Sequence, residues 1–230
     1  MNDAEAKRLV ATMPHWHHRF EIHPGVITPG SYDPQFLLDA IAFPNDLRGQ
    51  RVLDIGPSDG FFSLAAHRRG ASVVAVDYRE KDAHGFGIME AVTGARIDYR
   101  CANIYDLSPA ALGSFDHVIF LGLLYHLPDM MKALAIVRSL CHGRMYLESH
   151  AANDIASGDA LARYYPGAEL AGDITNFWSP NRACIRAMAR DCAFDLLSDK
   201  VWGDRYFGCF AANENSARKY KLRMAYGMPE

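Results

Sequence analysis

The sequence contains no apolar run long enough to cross a membrane, and its first residues, MNDAEAKRLVATMP, lack the apolar stretch of a secretory signal. It also has no excess of basic residues, since 24 lysines and arginines stand against 27 aspartates and glutamates, a net charge of −3. A basic stretch near the C-terminus, SARKYKLRMAYG, is predicted to be a solvated helix. We therefore expect a cytoplasmic protein that binds no membrane and does not hold nucleic acid tightly.

Cysteine is also scarce, and its spacing is uninformative. The five cysteines form no CxxC pair, which argues against a zinc site and predicts reduced thiols in the core; they are Cys101, Cys141, Cys184, Cys192 and Cys209. Four histidines cluster near the N-terminus, but no carboxylate or cysteine completes a metal-binding spacing; they are His15, His17, His18 and His23. We expect no bound metal.

Apolar residues make up half of the 230 residues, which is enough for a large α/β core. Predicted strands cover 51–55, 72–77, 95–101, 115–121, 144–149, 194–201 and 205–212. Predicted helices cover 60–70, the 80s, 129–140 and 181–192. This alternation predicts a Rossmann-like, doubly wound, mostly parallel sheet. Only Gly203 and Asp204 separate the last two strands, which predicts an antiparallel hairpin at a sheet edge, as in class I methyltransferases.

Residues 1–45 differ in character from the rest and are predicted to be a largely irregular arm. A short helix is predicted in DAEAKRLVATM and another in PQFLLDAIAF, ended by Pro44. The stretch between them is rich in proline, glycine, histidine and aromatic residues. We expect the arm to belong to the same domain as residues 46–230 and to cover its site.

The segment VLDIGPSDGFFS, residues 52–63, is typical of a nucleotide-binding turn between a strand and a helix. No lysine follows the glycines, which excludes a P-loop, and Asp59 would repel a pyrophosphate. S-adenosylmethionine has cationic groups and a carboxylate but no phosphate, so it suits this acidic turn better. Asp77 closes the next strand, 23 residues after Asp54, where an acid can accept hydrogen bonds from both ribose hydroxyls.

The segments DIGPSDGFFS, LGLLYHLPDMMKAL, MYLESH and ITNFWSPN, with WHHRFEIHPGVITPG upstream, resemble the tRNA wobble-uridine (carboxy)methyltransferases and their small-molecule relatives. The resemblance runs from about Trp16 to Phe194 and implies a class I methyltransferase that uses S-adenosylmethionine or its carboxylated form. It also implies a reaction centre at Tyr125 and His126. With the turn, it predicts cofactor contacts from Asp54, Gly56, Pro57, Asp77, Tyr78, Asn103, Ile104 and Leu121.

The arm departs from the carboxymethyl-transferring branch of that family. The stretch TPGSYDPQFLLD contains no lysine or arginine, and Gly30 and Gln35 replace an aromatic–basic pair. A carboxylated cofactor would bring an anion that needs a cation. We therefore predict ordinary S-adenosylmethionine, with Arg205 as the one residue whose position could change that expectation.

Three polar residues follow predicted strands and are candidate bases. His126 lies just after the fourth strand, and Glu148 and His150 end the fifth. Each could instead be structural, as a cap, a packing residue or a hydrogen-bond partner. Leu121 and Gly122 stand where metal-dependent catechol-type methyltransferases need a carboxylate, so that class is not expected.

The predicted substrate residues are Trp16, His17, Tyr125, Asn176 and Trp178, for each of which plain packing is the alternative. Ser179 or Asn176 is predicted to cap the following helix, with Pro180 at its first position. We predict methyl transfer to an O or N nucleophile of a small molecule. The alternatives are a tRNA wobble-uridine enzyme and a non-catalytic S-adenosylmethionine-binding regulator, and a homo-oligomer is left open.

Overall fold

The computed structural model describes residues 1–216 and 225–226. The chain divides into two compact units, Met1–Ile104 and Tyr105–Glu230. Seven strands form one mostly parallel sheet flanked by helices, which confirms the expected fold class. In the described part of the chain, no helix combines the length and apolar character needed to cross a membrane.

The first unit carries the arm and three parallel strands. Its elements are α1 (Asp3–Thr12), β1 (Glu21–His23), β2 (Val26–Ile27), α2 (Gln35–Ala40), β3 (Arg51–Ile55), α3 (Phe61–Arg68), β4 (Ser72–Asp77), α4 (Phe86–Thr93) and β5 (Asp98–Cys101). Strand β4 pairs in parallel with β3 on one side and with β5 on the other. The strand ends that follow Ile55, Asp77 and Cys101 therefore point the same way.

The second unit carries the antiparallel part of the sheet. Its elements are α5 (Pro109–Leu112), β6 (Phe115–Leu121), α6 (Met130–Leu140), β7 (Cys141–His150), β8 (Ala162–Tyr164), β9 (Trp178–Pro180), α7 (Arg182–Asp191), β10 (Phe194–Trp202) and β11 (Arg205–Ala212). Strand β7 is parallel to β6 and antiparallel to β11, and β11 pairs with β10. The predicted C-terminal hairpin is thus confirmed, while β8 and β9 form a separate two-stranded sheet.

Three helices begin just after a side chain that accepts a hydrogen bond from a free backbone N–H group of the first turn. Asn2 accepts from the N–H of Glu5 at 2.9 Å, and Asp129 accepts from the N–H of Lys132 at 2.9 Å. The predicted cap of α7 is wrong: neither Ser179 nor Asn176 caps it, because both side chains bind elsewhere. Asn181 caps the helix through the N–H of Cys184 at 2.8 Å, and Pro180 ends β9 rather than opening α7.

Several boundaries differ from the sequence-based expectation. The arm contains a short hairpin, β1–β2, whose strands of three and two residues are too brief to give a periodic pattern. Helix α2 ends at Ala40, before Pro44, and Ala42 is left-handed with a φ of 51°. Strand β5 begins at Asp98 instead of residue 95, and β7 is longer than predicted at both ends.

The expectations for the cysteines and for the C-terminal helix have different outcomes. Cys141, Cys192 and Cys209 are buried free thiols, as predicted, but Cys101 is exposed because it ends the short strand β5. Cys184 is half-buried. The predicted C-terminal helix, 216–227, falls almost entirely outside the described residues.

The arm is held together by a close backbone approach at Gly30, which yields a prediction about stability. The N–H of Arg19 donates to the carbonyl of Tyr32 at 2.6 Å, and a Cβ on Gly30 would overlap the backbone carbonyl of His18. We expect Gly30→Ala to reduce the free energy of unfolding by roughly 1–3 kcal/mol, because backbone atoms cannot move aside as a flexible side chain can. Urea unfolding followed by circular dichroism measures the loss.

Gly158→Ala is the matched control, because a Cβ there would meet nothing within 4 Å. Its free energy of unfolding should change by less than about 0.5 kcal/mol. Equal stability of the two variants would contradict the close approach at Gly30.

Candidate functional site

The turn after β3 is shaped by left-handed residues. Gly56 has a φ of 72°, Ser58 of 50° and Gly60 of 84°. The N–H of Gly56 donates to the carbonyl of Val76 at 2.8 Å, which ties the turn to β4. Pro57 is buried, and its carbonyl accepts from the N–H of Gly60 at 2.9 Å. The two predicted glycines therefore serve a tight strand-to-helix turn.

Asp59 binds the arm to this turn. Its Oδ2 accepts from the N–H of His17 at 2.5 Å and of His18 at 2.9 Å, while Oδ1 accepts from the N–H of Gly85 at 3.2 Å. The side chain is buried. The acid in the turn thus accepts hydrogen bonds from the protein's own backbone. From its place in the sequence it is expected instead to lie near a cationic ligand.

Asp54, predicted to touch the cofactor, is fully enclosed at the end of β3. Its Oδ2 accepts from the hydroxyl of Ser63 in α3 at 2.6 Å. Burial raises the pKa of Asp54 to about 7, and the hydrogen bond from Ser63 opposes that rise. In this position the carboxyl group joins β3 to α3.

Asp77 and Tyr78 end β4 with contrasting exposure. Asp77 is buried, with 5% of its surface exposed, whereas the Tyr78 ring is 73% exposed. The Asp77 carboxylate accepts from Arg79 three times, from the backbone N–H at 3.0 Å, from Nε at 3.2 Å and from Nη2 at 3.2 Å. The Arg79 guanidinium also lies 5.6 Å from the centre of the Tyr78 ring. A buried acceptor thus stands beside an exposed aromatic ring, and the partly exposed Arg79 guanidinium contacts both.

The same tripeptide, Asp-Tyr-Arg, recurs at residues 98–100 in β5. Asp98 accepts from Nε of Arg100 at 2.6 Å and from Nη2 at 2.7 Å. Both partners are exposed, unlike Asp77, which lies at the strand end. The two copies therefore offer a matched pair for experiments.

The remaining candidate residues of the first unit differ in their exposure and in their contacts. Asn103 is exposed and Ile104 is buried, just after β5. Trp16 is buried, its indole N–H donates to the carbonyl of Val10 at 3.1 Å, and its ring fills the space where a Cβ on Gly85 would lie. This placement favours the packing role for Trp16. His17 is exposed beside the Tyr32 ring, 5.7 Å between centres.

The arm histidines do not converge on a metal-binding arrangement. Among the residues that the structure describes, no group of three or more His, Cys, Asp or Glu side chains could hold an ion. His18 packs edge-on against Phe62, and burial lowers its pKa to about 3. It is therefore a neutral packing residue at physiological pH.

In the second unit, β7 and β11 bring Glu148, Arg205 and Tyr125 together. Cross-strand pairing sets Arg205 opposite His150 and Phe207 opposite Glu148, so Arg205 and Glu148 are diagonal neighbours on one face. Nε of Arg205 donates to Oε1 of Glu148, and the guanidinium lies 5.0 Å from the centre of the Tyr125 ring. Burial raises the pKa of Glu148, while the Arg205 charge opposes the rise. Glu148 is thereby engaged as half of an ion pair.

His150 is held at both ring nitrogens. Nδ1 lies 2.6 Å from the hydroxyl of Ser179, and Nε2 lies 3.1 Å from Oδ2 of Asp204. Burial lowers the pKa of His150, and the Asp204 carboxylate partly offsets this. With no ring nitrogen left over, His150 is suited to a structural role.

His126 is held at one ring nitrogen. Its Nδ1 lies 3.1 Å from the carbonyl oxygen of Thr175 and 3.1 Å from the Thr175 hydroxyl. No residue in the described part of the chain forms a hydrogen bond with Nε2. Burial lowers the pKa of His126 and so favours the neutral ring. Of the three predicted bases, His126 alone keeps an unengaged nitrogen.

The segment 175–178 lies against the turn that carries His126. The N–H of Phe177 donates to the carbonyl of Tyr125 at 2.9 Å, and the indole N–H of Trp178 donates to the carbonyl of Pro128 at 3.2 Å. Asn176 is buried and donates to the carbonyl of Leu170 at 2.9 Å. Asn176 and Trp178 are thus brought to the Tyr125–His126 turn. Leu121, half-buried, ends β6 just before it.

The candidate residues of the site can be predicted from the sequence, whereas most of their hydrogen-bond partners cannot. Asp59, Arg79, Thr175 and Ser179 were not singled out for the roles that they have here. Arg205 was noted but could not be placed. The pairing of β11 with β7 places Arg205, because its register fixes which side chains of β11 lie on the same face as Glu148 and His150.

Comparisons with known proteins agree with this geometry. Residues 53–144 match the family model described as a methyltransferase domain. The ubiquinone biosynthesis O-methyltransferase of Xanthomonas campestris pv. campestris (strain B100) is 36% identical over 102 residues, which are 44% of this chain and 41% of that protein. The chain thus spans less than half of the length of that relative.

Two solved structures share the fold. The N-terminal domain of EvdMO1, determined in the presence of SAH and D-fucose, has a TM-score of 0.70 and 23% identity over 93% of this chain and 97% of its own. The 1,6-didemethyltoxoflavin-N1-methyltransferase of Burkholderia thailandensis, with bound 1,6-didemethyltoxoflavin and S-adenosylhomocysteine, has a TM-score of 0.58 and 16% identity over 78% of this chain and 76% of its own. The chain therefore has the class I methyltransferase fold, and its residues 53–144 match a methyltransferase domain.

Proposed function

We propose that the protein transfers a methyl group from S-adenosylmethionine to an oxygen or nitrogen nucleophile of a small molecule. The observation that carries the proposal is the pair at the end of β4, where the buried Asp77 carboxylate precedes the open Tyr78 ring. A carboxylate there suits a ribose diol, and an open aromatic face suits an adenine. The matching methyltransferase domain and the S-adenosylhomocysteine-bound neighbour support this choice of cofactor.

The residues proposed to hold the cofactor come from strand ends and the glycine turn. Asp77 would accept from the ribose hydroxyls, and Tyr78 would stack on the base. Backbone groups near Gly56 and Pro57 would contact the amino-acid part, with Asn103 and Ile104 lining the remainder and Asp54 supporting the turn. When bound, S-adenosylmethionine supplies a sulfonium methyl group that a nucleophile can displace.

Binding of the cofactor at Asp77 involves Arg79. A carboxylate offers about four lone-pair positions, and Arg79 uses three hydrogen bonds here. The Arg79 side chain is 39% exposed, so it can swing away and leave its backbone N–H in place. The ribose hydroxyls would then replace the guanidinium as donors.

On the acceptor side, we propose that His126 receives the proton that the nucleophile loses. An alcohol must be deprotonated as it is methylated, so a base with a pKa near neutrality accelerates the reaction. Glu148 and His150 would act as supports rather than bases, because Glu148 is ion-paired with Arg205 and both ring nitrogens of His150 are engaged by Ser179 and Asp204. Tyr125 and Trp178 are the proposed acceptor contacts.

The class of acceptor is proposed to be a polyhydroxylated or phenolic small molecule. A structural neighbour was determined with D-fucose, and a relative is a ubiquinone biosynthesis O-methyltransferase. The tRNA wobble uridine remains the alternative acceptor, but a tRNA ligand requires several phosphate contacts, and the net charge of −3 does not favour them.

Calorimetry with S-adenosylmethionine, followed by release of S-adenosylhomocysteine with a panel of free sugars, hydroxybenzoates, amines and tRNA, tests the proposal. Cofactor binding and release with at least one acceptor would support it. Cofactor binding without release for any sugar, phenol, amine or tRNA would instead favour a non-catalytic binding protein.

The first prediction concerns cofactor affinity. Asp77→Ala removes charge-assisted hydrogen bonds worth about 1.5–3 kcal/mol each, so the Kd for S-adenosylmethionine should rise at least about tenfold. Asp98→Ala is the matched control, because it breaks the same Asp-Tyr-Arg pairing on the exposed face of β5. Equal Kd values for the two folded variants would remove Asp77 from the cofactor site.

The second prediction concerns turnover. With an acceptor found in the panel, His126→Ala should lower kcat by roughly 10²-fold, with little change in the Kd for the cofactor. The control is His142→Ala, which removes an exposed histidine paired with Asp116. A kcat within about threefold of wild type would make His126 structural.

The reaction rate should depend on pH only on the acid side of its profile. A base must be unprotonated, and burial lowers the pKa of His126 below its ordinary value of about 6.5. The rate should therefore be flat above about pH 7 and fall only on acidification.

The third prediction concerns the form of the cofactor. In the arm, Asp33 accepts from the N–H of Gln35 and Asp39 adds a second acid, while Arg205 is neutralised by Glu148. An unpaired carboxylate in a partly dry pocket costs several kcal/mol as an order of magnitude. A competition titration should therefore show preference for S-adenosylmethionine over its carboxylated form, and the opposite order would restore the carboxymethylating alternative.

A further inference from the structure

We propose that Thr175 and Asp173 are positioning residues for His126. They hold its neutral ring with the proton on Nδ1, which leaves the lone pair on Nε2. The proposal deepens the function given above and rests on it for the use of that lone pair. Its geometry lies entirely within the second unit, in the loop 173–175 and the turn that carries His126.

The argument begins with the Thr175 hydroxyl. Its Oγ1 lies 2.7 Å from Oδ1 of Asp173, and the same carboxylate oxygen accepts from the N–H of Thr175 at 2.8 Å. An ionised carboxylate only accepts, so the single hydroxyl proton of Thr175 is directed to Asp173. The lone pairs of Oγ1 are then what the hydroxyl offers to His126.

The second step is the tautomer of His126. Nδ1 faces two oxygens of Thr175, the carbonyl at 3.1 Å and Oγ1 at 3.1 Å. Both act as acceptors once Oγ1 donates to Asp173. Two acceptors at Nδ1 require a proton there, so in the neutral ring Nε2 is the basic nitrogen.

The third step is stabilisation of the protonated ring. When Nε2 accepts a proton from the nucleophile, the imidazolium keeps its Nδ1–H on Thr175 and gains attraction from the Asp173 charge behind it. The charged and titratable groups that face His126 are Asp173 from the loop, Arg205 from β11 and Tyr125 from its own turn. Asp173 raises the pKa of His126 and Arg205 lowers it, so the loop offsets the cation.

The loop is also anchored on both sides, so that the arrangement is preorganised. Before Thr175, the N–H of Asp173 donates to the carbonyl of Leu170 at 3.1 Å. After it, the N–H of Phe177 donates to the carbonyl of Tyr125, next to His126, at 2.9 Å. Thr175 is therefore held against the ring by backbone hydrogen bonds that a side-chain substitution leaves intact.

Long-range ¹⁵N–¹H NMR of the imidazole nitrogens tests the proposal without any acceptor or cofactor. In wild type, we expect His126 to carry its neutral proton on Nδ1. Thr175→Val removes the hydroxyl but keeps the carbonyl acceptor, so it should shift part of the population toward the Nε2–H form, and Thr175→Ser should restore the wild-type population. Asp173→Asn should lower the pKa of His126 by roughly half a unit, the size of one partly screened charge.

Asp159→Asn is the matched control, because Asp159 also accepts from a hydroxyl two residues away, that of Ser157, at 3.1 Å. It should leave the tautomer and the pKa of His126 unchanged. A wild-type ring protonated on Nε2, or identical His126 spectra and titration in Asp173→Asn, Thr175→Val and wild type, would overturn the proposal.

Turnover measurements distinguish this proposal from the proposed role of His126 as the base. If His126 serves as base, Asp173→Asn should lower kcat by about three- to tenfold, shift the acid limb toward lower pH and leave the KM for S-adenosylmethionine unchanged. If the NMR results hold but His126→Ala keeps full kcat, the positioning stands and the base assignment fails. If the NMR results contradict the proposed tautomer while His126→Ala loses kcat, the assignment of His126 as base stands and the positioning role of Thr175 and Asp173 fails.

Discussion

The carboxylate of Asp59 is the contact on which the first unit depends. It satisfies three backbone N–H groups from two segments that are far from it in sequence, 17–18 and 85. A buried charge without such partners would be costly, and hydrogen bonds to a charged acceptor contribute about 1.5–3 kcal/mol each. One acid in the glycine turn therefore sets the path of the arm, the start of α4 and the shape of the turn together. The backbone at His18, one of the segments that Asp59 holds, is also the one that Gly30 approaches so closely that a Cβ would overlap it.

The rule that buried charges must be paired also sorts the polar residues of the second unit. Glu148 is paired with Arg205, and His150 is bound by Ser179 and Asp204. Each pairing satisfies burial and at the same time removes that group from proton transfer. His126 is bound on one side only, by a threonine whose own proton is committed to Asp173. The chemistry available at this turn is thus a consequence of which hydrogen-bonding positions the fold has already filled.

Much of the fold could be predicted because its signals are local. The strands β3, β4 and β6 are apolar runs, α6 begins at an aspartate that caps it, and the β10–β11 turn needs only Gly203 and Asp204. The β1–β2 hairpin was missed because its strands are too short for periodicity to appear. The cap of α7 was misplaced because three consecutive polar or turn-forming residues, Ser179 to Asn181, compete, and a strand pairing with β8 decides between them. Site residues at strand ends could be predicted from topology, whereas their partners, such as Thr175 for His126, depend on loop paths that no local pattern encodes.

The two Asp-Tyr-Arg segments show why residue type alone does not assign a role. In both, the arginine folds back onto the aspartate two residues earlier. At residues 98–100 the pair is open to water, where screening makes such a pair worth little. At residues 77–79 the same carboxylate is buried at the end of a strand, so its demand for donors is strong and must always be met. Arg79 meets that demand in this structure, and in the proposed function the two hydroxyls of a ribose would take its place as donors. Burial creates the demand of Asp77 for donors, and the exposure of the Arg79 side chain is what the proposed exchange requires.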